Sequence, residues 1–399
     1  MSIVIVKRGG KPSPPGRRSA ERVRARRLPL TLLPAVLAVV SAALPVRASD
    51  AFSAAEAVVR AAVANGAAPG AAFVVARGGA IVHEAAFGVA DRATNRAMTP
   101  TTPFTLASVS KVLTAIAVMQ LVDAKKLALD DRAYGFFADL TQPAGTERDP
   151  RLASITIRDL LLHAGGWDRT VSGSFLDDTA TMRAKLGLAT PYVTPLDAIR
   201  YSLGVSLDFT PGTKQVYSNV GYVVLSEIVA RASGESYEAY VKAHVLAPAG
   251  VTEGSLHHGA GARPGEAARY LANGTRYDAP FRPQVEGAGD WVLSAVDMVK
   301  VVLALERGVL LSRASYDAMF APPLPPFVAR PNGSAFGFGW DGVTHVPAGV
   351  RYAKNGSLPG VRTVIEHRAD GTIFALFLNG GEANDGEAGA PARAVDAAL

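Results

Sequence analysis

The sequence predicts an α/β fold: one antiparallel sheet assembled from both ends of the chain and flanked by helices, with a mainly helical insertion between. Three observations predict it. Near the start, "AAFVVARGG" and "AIVHEAAFGV" are two β-prone runs joined through Gly78-Gly79, a hairpin signal. Near the end, "GVRTVIEHRADGTIFALFLNGG" places two more β-rich runs around Asp370-Gly371. Between them the strongest periodicities are helical.

In order along the chain, residues 1–48 read as a leader. A basic segment ends at Arg26-Arg27, the apolar run "LPLTLLPAVLAVVSAALPV" follows, and Val46-Arg47-Ala48 offers small residues where a signal peptidase would cut. The expectation is export with cleavage after Ala48. An uncleaved membrane anchor is the alternative, weakened by Pro29, Pro34 and Pro45 inside the run.

Phe52 to Asn65 has apolar residues at helical spacing and stops at Gly66. The first hairpin comes next, and Thr101 to Leu106 leads into "TLASVSKVL". From Val112 to Val122 nearly every residue is apolar, which predicts a helix buried on all sides. Residues 125–285 mix helices with long polar loops; "TPLDAIRYSL" and "VGYVVLSEIVARASG" are the clearest helices, the latter closed by Gly234. The expected division is a sheet-bearing part over about 49–105 and 286–399, and a helical part over about 106–285.

Charge excludes one class of partner. The chain's formal charge is +6, but residues 1–48 hold ten Lys and Arg against one acid, so residues 49–399 carry a net charge of −3. A nucleic-acid partner is therefore not expected. Hydrophobic residues at 49% and charged residues at 19% describe a globular chain, and the absence of cysteine removes disulfides and thiol chemistry from consideration.

Three stretches carry chemistry. Ser108 and Lys111 lie three positions apart, so in a helix they share a face. The apolar run leaves Lys111 no easy solvent face, and burial of an ammonium lowers its pKa toward that of a base able to take a serine proton. Tyr217-Ser218-Asn219 follows the turn Pro211-Gly212, which would present Tyr217 from a loop; nearby cations, Lys111 and another lysine, would be needed to give the phenol a useful pKa. Lys354-Asn355-Gly356-Ser357 precedes the last strand signals. It could offer a cation and an N–H to a bound acyl group, with Gly356 permitting close approach of the substrate to the backbone.

In order and spacing these stretches resemble the serine β-lactamase superfamily, in the branch of class C β-lactamases, D-alanyl-D-alanine carboxypeptidases and family VIII esterases. "ITIRDLLLHAGGW", "FTPGTKQVYSNVGYVVLSEIV", "GDWVLSAVDMVKVV" and "FGFGW" extend the match over about residues 68–380. The resemblance implies the β-lactamase/transpeptidase-like fold and a serine hydrolase acting through an acyl-enzyme on ester, D-amino-acid peptide or β-lactam carbonyls. Ser108 would be the nucleophile, Lys111 its activating partner, and Tyr217 the general base or proton relay. Asn219, Lys354, Asn355, Gly356 and Ser357 would bind substrate, and the N–H groups of Ser108 and Ser357 would form the oxyanion hole. Position 355 holds Asn where the family often has Thr, which puts the usual carboxylate contact in doubt. The resemblance implies no cofactor and no metal, and a small molecule or peptide as partner. His163 in "LLLHAGG" matches a structural position, and the adjacent His257 and His258 would point apart on an extended segment. The alternative function is an idle relative that binds peptidoglycan fragments or serves as a scaffold.

Overall fold

The computed structural model describes residues 52–381 and 390–399. The leader read at 1–48 lies outside the described residues. Helix α1 spans Ser53–Ala64, and strands β1 (Gly70–Arg77) and β2 (Ala80–Asp91) form the expected first hairpin. Gly78 and Gly79 make its turn with φ of +58° and +80°, the left-handed pair that a tight two-residue hairpin requires. Short strands β3 (Arg96–Ala97) and β4 (Phe104–Thr105) lead through a 3₁₀ turn at Ala107–Val109 into α2 (Ser110–Asp123).

The helical middle follows, with α3 (Ile157–Leu161), α4 (Thr179–Leu186), α5 (Pro195–Ser202), α6 (Asn219–Ser233) and α7 (Tyr237–Tyr240). Thr156 and Thr194 cap α3 and α5 in reciprocal bonds with Asp159 and Asp197, which satisfies amides that a bare helix start would leave unpaired. Gly234 closes α6 in the left-handed conformation. Strands β5 (Ser255–Leu256), β6 (Arg269–Tyr270) and β7 (Arg276–Tyr277) come before α8 (Glu286–Gly289), β8 (Trp291–Leu293), α9 (Ala295–Glu306) and α10 (Arg313–Met319). The chain finishes with β9 (Thr344–Val346), β10 (Gly349–Leu358), β11 (Val361–His367), β12 (Ile373–Leu378) and α11 (Ala390–Ala398).

The large sheet runs β3-β2-β1-β12-β11-β10-β9, so strands from both ends of the chain meet where β1 pairs antiparallel with β12. Its centre is apolar on both faces because both faces are covered. Ala71, Phe73 and Val75 of β1 join Phe374, Leu376 and Leu378 of β12 in one core with Val59 of α1 and Val395 of α11. The alternate residues Ala72, Val74, Ala375 and Phe377 belong to the other core, with α2, α6 and α9. Period-two alternation therefore serves two cores, and each fully buried Val or Phe contributes about 1.5–3 kcal/mol.

In α2, 11 of the 14 residues are buried, including Lys111. Two small sheets, β4-β8-β5 and β6-β7, also form, and their strands β5, β6 and β7 fall where the sequence suggested only helices and loops. Strands of two or three residues are too short for an alternation to register. No helix among the described residues is long and apolar enough to cross a membrane.

Candidate active site

Residue 108 is presented by a tightly held turn. Leu106 N donates to Trp291 O at 2.7 Å, and Trp291 N donates to Ser110 Oγ at 3.2 Å, so β8 clamps both sides of the turn. Ala107 between them has φ of +47°, a left-handed conformation that costs a residue with a Cβ about 1–3 kcal/mol and persists only where surroundings impose it. The turn places Ser108 just before the N-terminus of α2, where peptide dipoles favour developing negative charge.

Lys111 reaches back to that serine. Its side chain is fully buried, and its Nζ lies 2.6 Å from Ala288 O, 2.8 Å from Asn219 Oδ1 and 3.2 Å from Ser108 Oγ. Two of these neighbours can only accept, and the third is a hydroxyl. That set suits a neutral amine, which has two N–H donors and one lone pair to receive the serine proton. Burial holds the Lys111 pKa well below the usual lysine value, with the neighbouring Lys354 charge acting in the same direction.

Tyr217 arrives from the loop before α6, as its sequence context predicts. Its hydroxyl donates to Ser108 Oγ at 2.6 Å, which leaves the serine's own proton free to point toward Lys111. Lys111 Nζ and Lys354 Nζ each stand 4.9 Å from the ring centroid. The sequence suggested that such cations would favour the phenolate. Instead, burial, reinforced by Asp341, pushes the phenol pKa well above its ordinary value, so the resting tyrosine is protonated.

His163 anchors this loop from both sides. Its carbonyl accepts from Val216 N at 2.8 Å, and its Nδ1 lies 3.1 Å from Ser218 N. To accept from that amide, Nδ1 must be unprotonated. Burial first, and then the Lys354 and Lys111 charges, depress the His163 pKa well below its usual value, which keeps the imidazole neutral. Its ring also packs 4.6 Å from that of Tyr217.

β10 supplies the opposite wall. Asp341 N and Gly342 N donate to Ala353 O, and Gly349 and Arg351 face β9. The N–H and C=O of successive residues in an antiparallel strand point alternately to either side. Asn355 and Ser357 therefore direct theirs away from β11, toward the cleft they line, which suits the N–H of Ser357 to receive an oxyanion beside that of Ser108. Asn355 is also exposed at this edge.

Two sequence expectations for this strand need correction. Gly356 does not line the cleft; a Cβ there would overlap Leu106 O and Thr363 Oγ1. The close approach it permits is that of β10 to the Ser108 turn, bridged by Thr363 Oγ1 donating to Leu106 O at 2.7 Å. Lys354 is fully buried behind the cleft wall and pairs with Asp341 at 2.6 Å. Its charge is already matched by the chain's own carboxylate, and Asp341, not Lys354, lines the cleft. Asn219 lines the cleft with its Oδ1 committed to Lys111, which leaves its Nδ2 available.

The cleft has a volume of about 490 Å³. Sequence reasoning missed several of its polar lining residues: Arg169, Asp177, Arg269, Arg282, Asp290 and Asp341. Asp290 and Asp341 fall within or directly after stretches that carried the resemblance; nothing local marks the others. Among the described residues no cluster of His, Cys, Asp and Glu could hold a metal ion. His258 pairs with Glu238 at 3.1 Å, whereas His257 turns inward to Thr105 at 2.9 Å.

A family model described as Beta-lactamase matches residues 55–399. Penicillin-binding protein 4 of Amycolatopsis lactamdurans is 32% identical over 341 residues, which cover 79% of this chain and 82% of that one. Esterase EstB of Burkholderia gladioli is 34% identical over 191 residues, 46% of each chain. Among solved structures, the D-amino acid amidase of Ochrobactrum anthropi SV3 superposes with a TM-score of 0.71 at 24% identity, over 88% of this chain and 98% of that one. That last likeness is one of fold.

Proposed function

The chain belongs to the Beta-lactamase family, whose members include serine hydrolases, and from that premise we propose that it is an exported serine hydrolase working through an acyl-enzyme. One observation carries the reading: Lys111 Nζ is buried between two obligate acceptors, with Ser108 Oγ as its third neighbour.

Ser108 Oγ attacks the substrate carbonyl as its proton passes to Lys111. The oxyanion is received by the N–H groups of Ser108 and Ser357. Tyr217 donates its proton to the leaving group and is reprotonated by the one Lys111 took from Ser108, so that no proton is gained or lost over acylation. Water then attacks the acyl carbonyl, the same groups take its proton, and the acid leaves with Ser108 restored. Because the resting tyrosine is protonated, Tyr217 acts as relay and Lys111 as the first base.

Within this class, esters and amino-acid amides or peptides are favoured over efficient β-lactam breakdown. Asn355 stands exposed where the family often has Thr, and a penicillin-binding protein, an esterase and an amidase are among the similar proteins. Export rests on the leader at 1–48, and a secreted form lacking those residues is expected by N-terminal sequencing.

The test is intact mass after brief exposure to a short p-nitrophenyl ester and, separately, to a penicillin, with Ser108→Ala alongside. An adduct or turnover that requires Ser108, faster with the ester, is expected. Absence of both with either reagent would move weight to the idle peptidoglycan-binding reading.

A further inference from the structure

One carboxylate in the cleft has no use in this mechanism. Asp290 lies between α8 and β8, one residue after Gly289, where a Cβ would fall within 4 Å of Ala107, itself the neighbour of Ser108. The Asp290 side chain lines the cleft and is 8% exposed. Its Oδ2 is buried and has no hydrogen-bond partner. A buried carboxylate oxygen left unpaired costs free energy, and such atoms are rare in folded chains.

Its surroundings show what is missing. Asp177 and Arg282 neutralise each other at 2.5 Å, as do Asp341 and Lys354 at 2.6 Å. Glu266 accepts from Thr105 Oγ1 at 2.6 Å and from Arg263 N at 2.8 Å, and lies 3.4 Å from His257. Arg269 donates to Thr105 and faces both Glu266 and Asp290. This inner group holds two carboxylates, one guanidinium and one imidazole. Arg169 stands exposed at the rim, where water carries much of its charge. Of the carboxylates lining the cleft, Asp290 is the one with a buried oxygen that meets no donor.

We propose that Asp290 binds a cationic amine on the substrate, close to the reacting carbonyl, as in α-amino-acid esters and amides with a free amino group. An ammonium offers donors to the orphaned oxygen in a site where water screens poorly. Burial, the largest influence, pushes the Asp290 carboxyl up to about 7 against the pull of His257 and Arg269, and an amine would draw it back toward the ionised form. The inference rests on the hydrolase reading of Ser108 and adds to it the substrate class.

The test compares kcat/KM for alanine methyl ester, both enantiomers, with N-acetylalanine methyl ester and methyl propionate, by titrating released acid near neutral pH. The wild-type protein is expected to prefer a free-amine ester over both others by about tenfold or more, and Asp290→Asn to reduce that ratio by about the same factor. A wild-type protein without the preference overturns the inference while leaving the hydrolase reading intact, and does so even if the variant fails to fold. So does an Asp290→Asn variant that lowers all the rates alike, which marks a structural residue. Absence of Ser108-dependent turnover with every ester overturns both readings together.

Discussion

The start of α2 and the middle of β10 each bury one lysine against the same tyrosine ring, at the same 4.9 Å. Lys111 and Lys354 are equally inaccessible to solvent, yet the two regions give them different chemistry. Lys354 meets a carboxylate, Asp341, which works against the depression that burial imposes. Lys111 meets a carbonyl, an amide oxygen and a hydroxyl, and has no carboxylate in contact. Burial alone therefore does not make a lysine a base; the atoms supplied to its nitrogen decide that.

The sharpest way to break the comparison is to remove each amine in turn. Lys111→Met is expected to lower Ser108 acylation by about 10³-fold, in the range of a lost general base, measured by the rate of adduct formation. A loss within tenfold would mean that the serine is activated elsewhere.

Lys354→Met leaves the base in place and should act through it. The Lys354 charge depresses Lys111 and the Asp341 carboxylate raises it, so deleting the cation removes the depression, leaves the Asp341 influence and raises the Lys111 pKa. Lys111 works as the free amine, so activity rises as pH passes upward through its pKa. The acid limb of kcat/KM should therefore move to higher pH, with about tenfold lost along that limb if the shift is about one unit. An unmoved limb would separate the two lysines. The orphaned Asp341 is about a quarter exposed, so the stability cost, read by urea denaturation, should be about 1–3 kcal/mol, below that of breaking a fully buried pair.

The last prediction carries the same principle to an acid. Glu286 opens α8, whose Ala288 carbonyl holds Lys111. Burial first, then the nearby carboxylate of Glu227, raises its pKa from 4.5 to about 8. Between those values the folded protein keeps a proton that the unfolded chain has released, so this group's contribution to stability falls as pH rises through that window and is level above it. Glu286→Gln should remove the decline, so the variant gains on wild type in thermal melts from about pH 4.5 to about pH 8. A constant difference across that range would show that Glu286 is not buried as its surroundings imply.

Much of this was legible along the chain because it is local. Val112 to Val122 marked a helix with no polar face, and that made Lys111 conspicuous three positions from Ser108. The two hairpins showed in β-prone runs around Gly78-Gly79 and Asp370-Gly371. Tyr217 and the β10 segment are each unremarkable locally; their order relative to Ser108, carried by the resemblance, singled them out. The two-residue strands left no such trace, nor did the His163 contacts that hold the Tyr217 loop from positions more than fifty residues away.

The sequence by itself determined the longer elements, the sheet drawn from both chain ends and the serine three positions from a buried lysine, because side-chain periodicity and helical spacing act over a few residues. Tertiary structure decided what each polar atom meets: Asp341 for Lys354, neutral acceptors for Lys111, a protonated state for Tyr217, the chain's own turn against Gly356, and no partner for Asp290. A pKa or an unpaired oxygen depends on the atoms within a few ångströms, and in this cleft those atoms come from segments up to about 250 residues apart, as when Thr363 reaches Leu106.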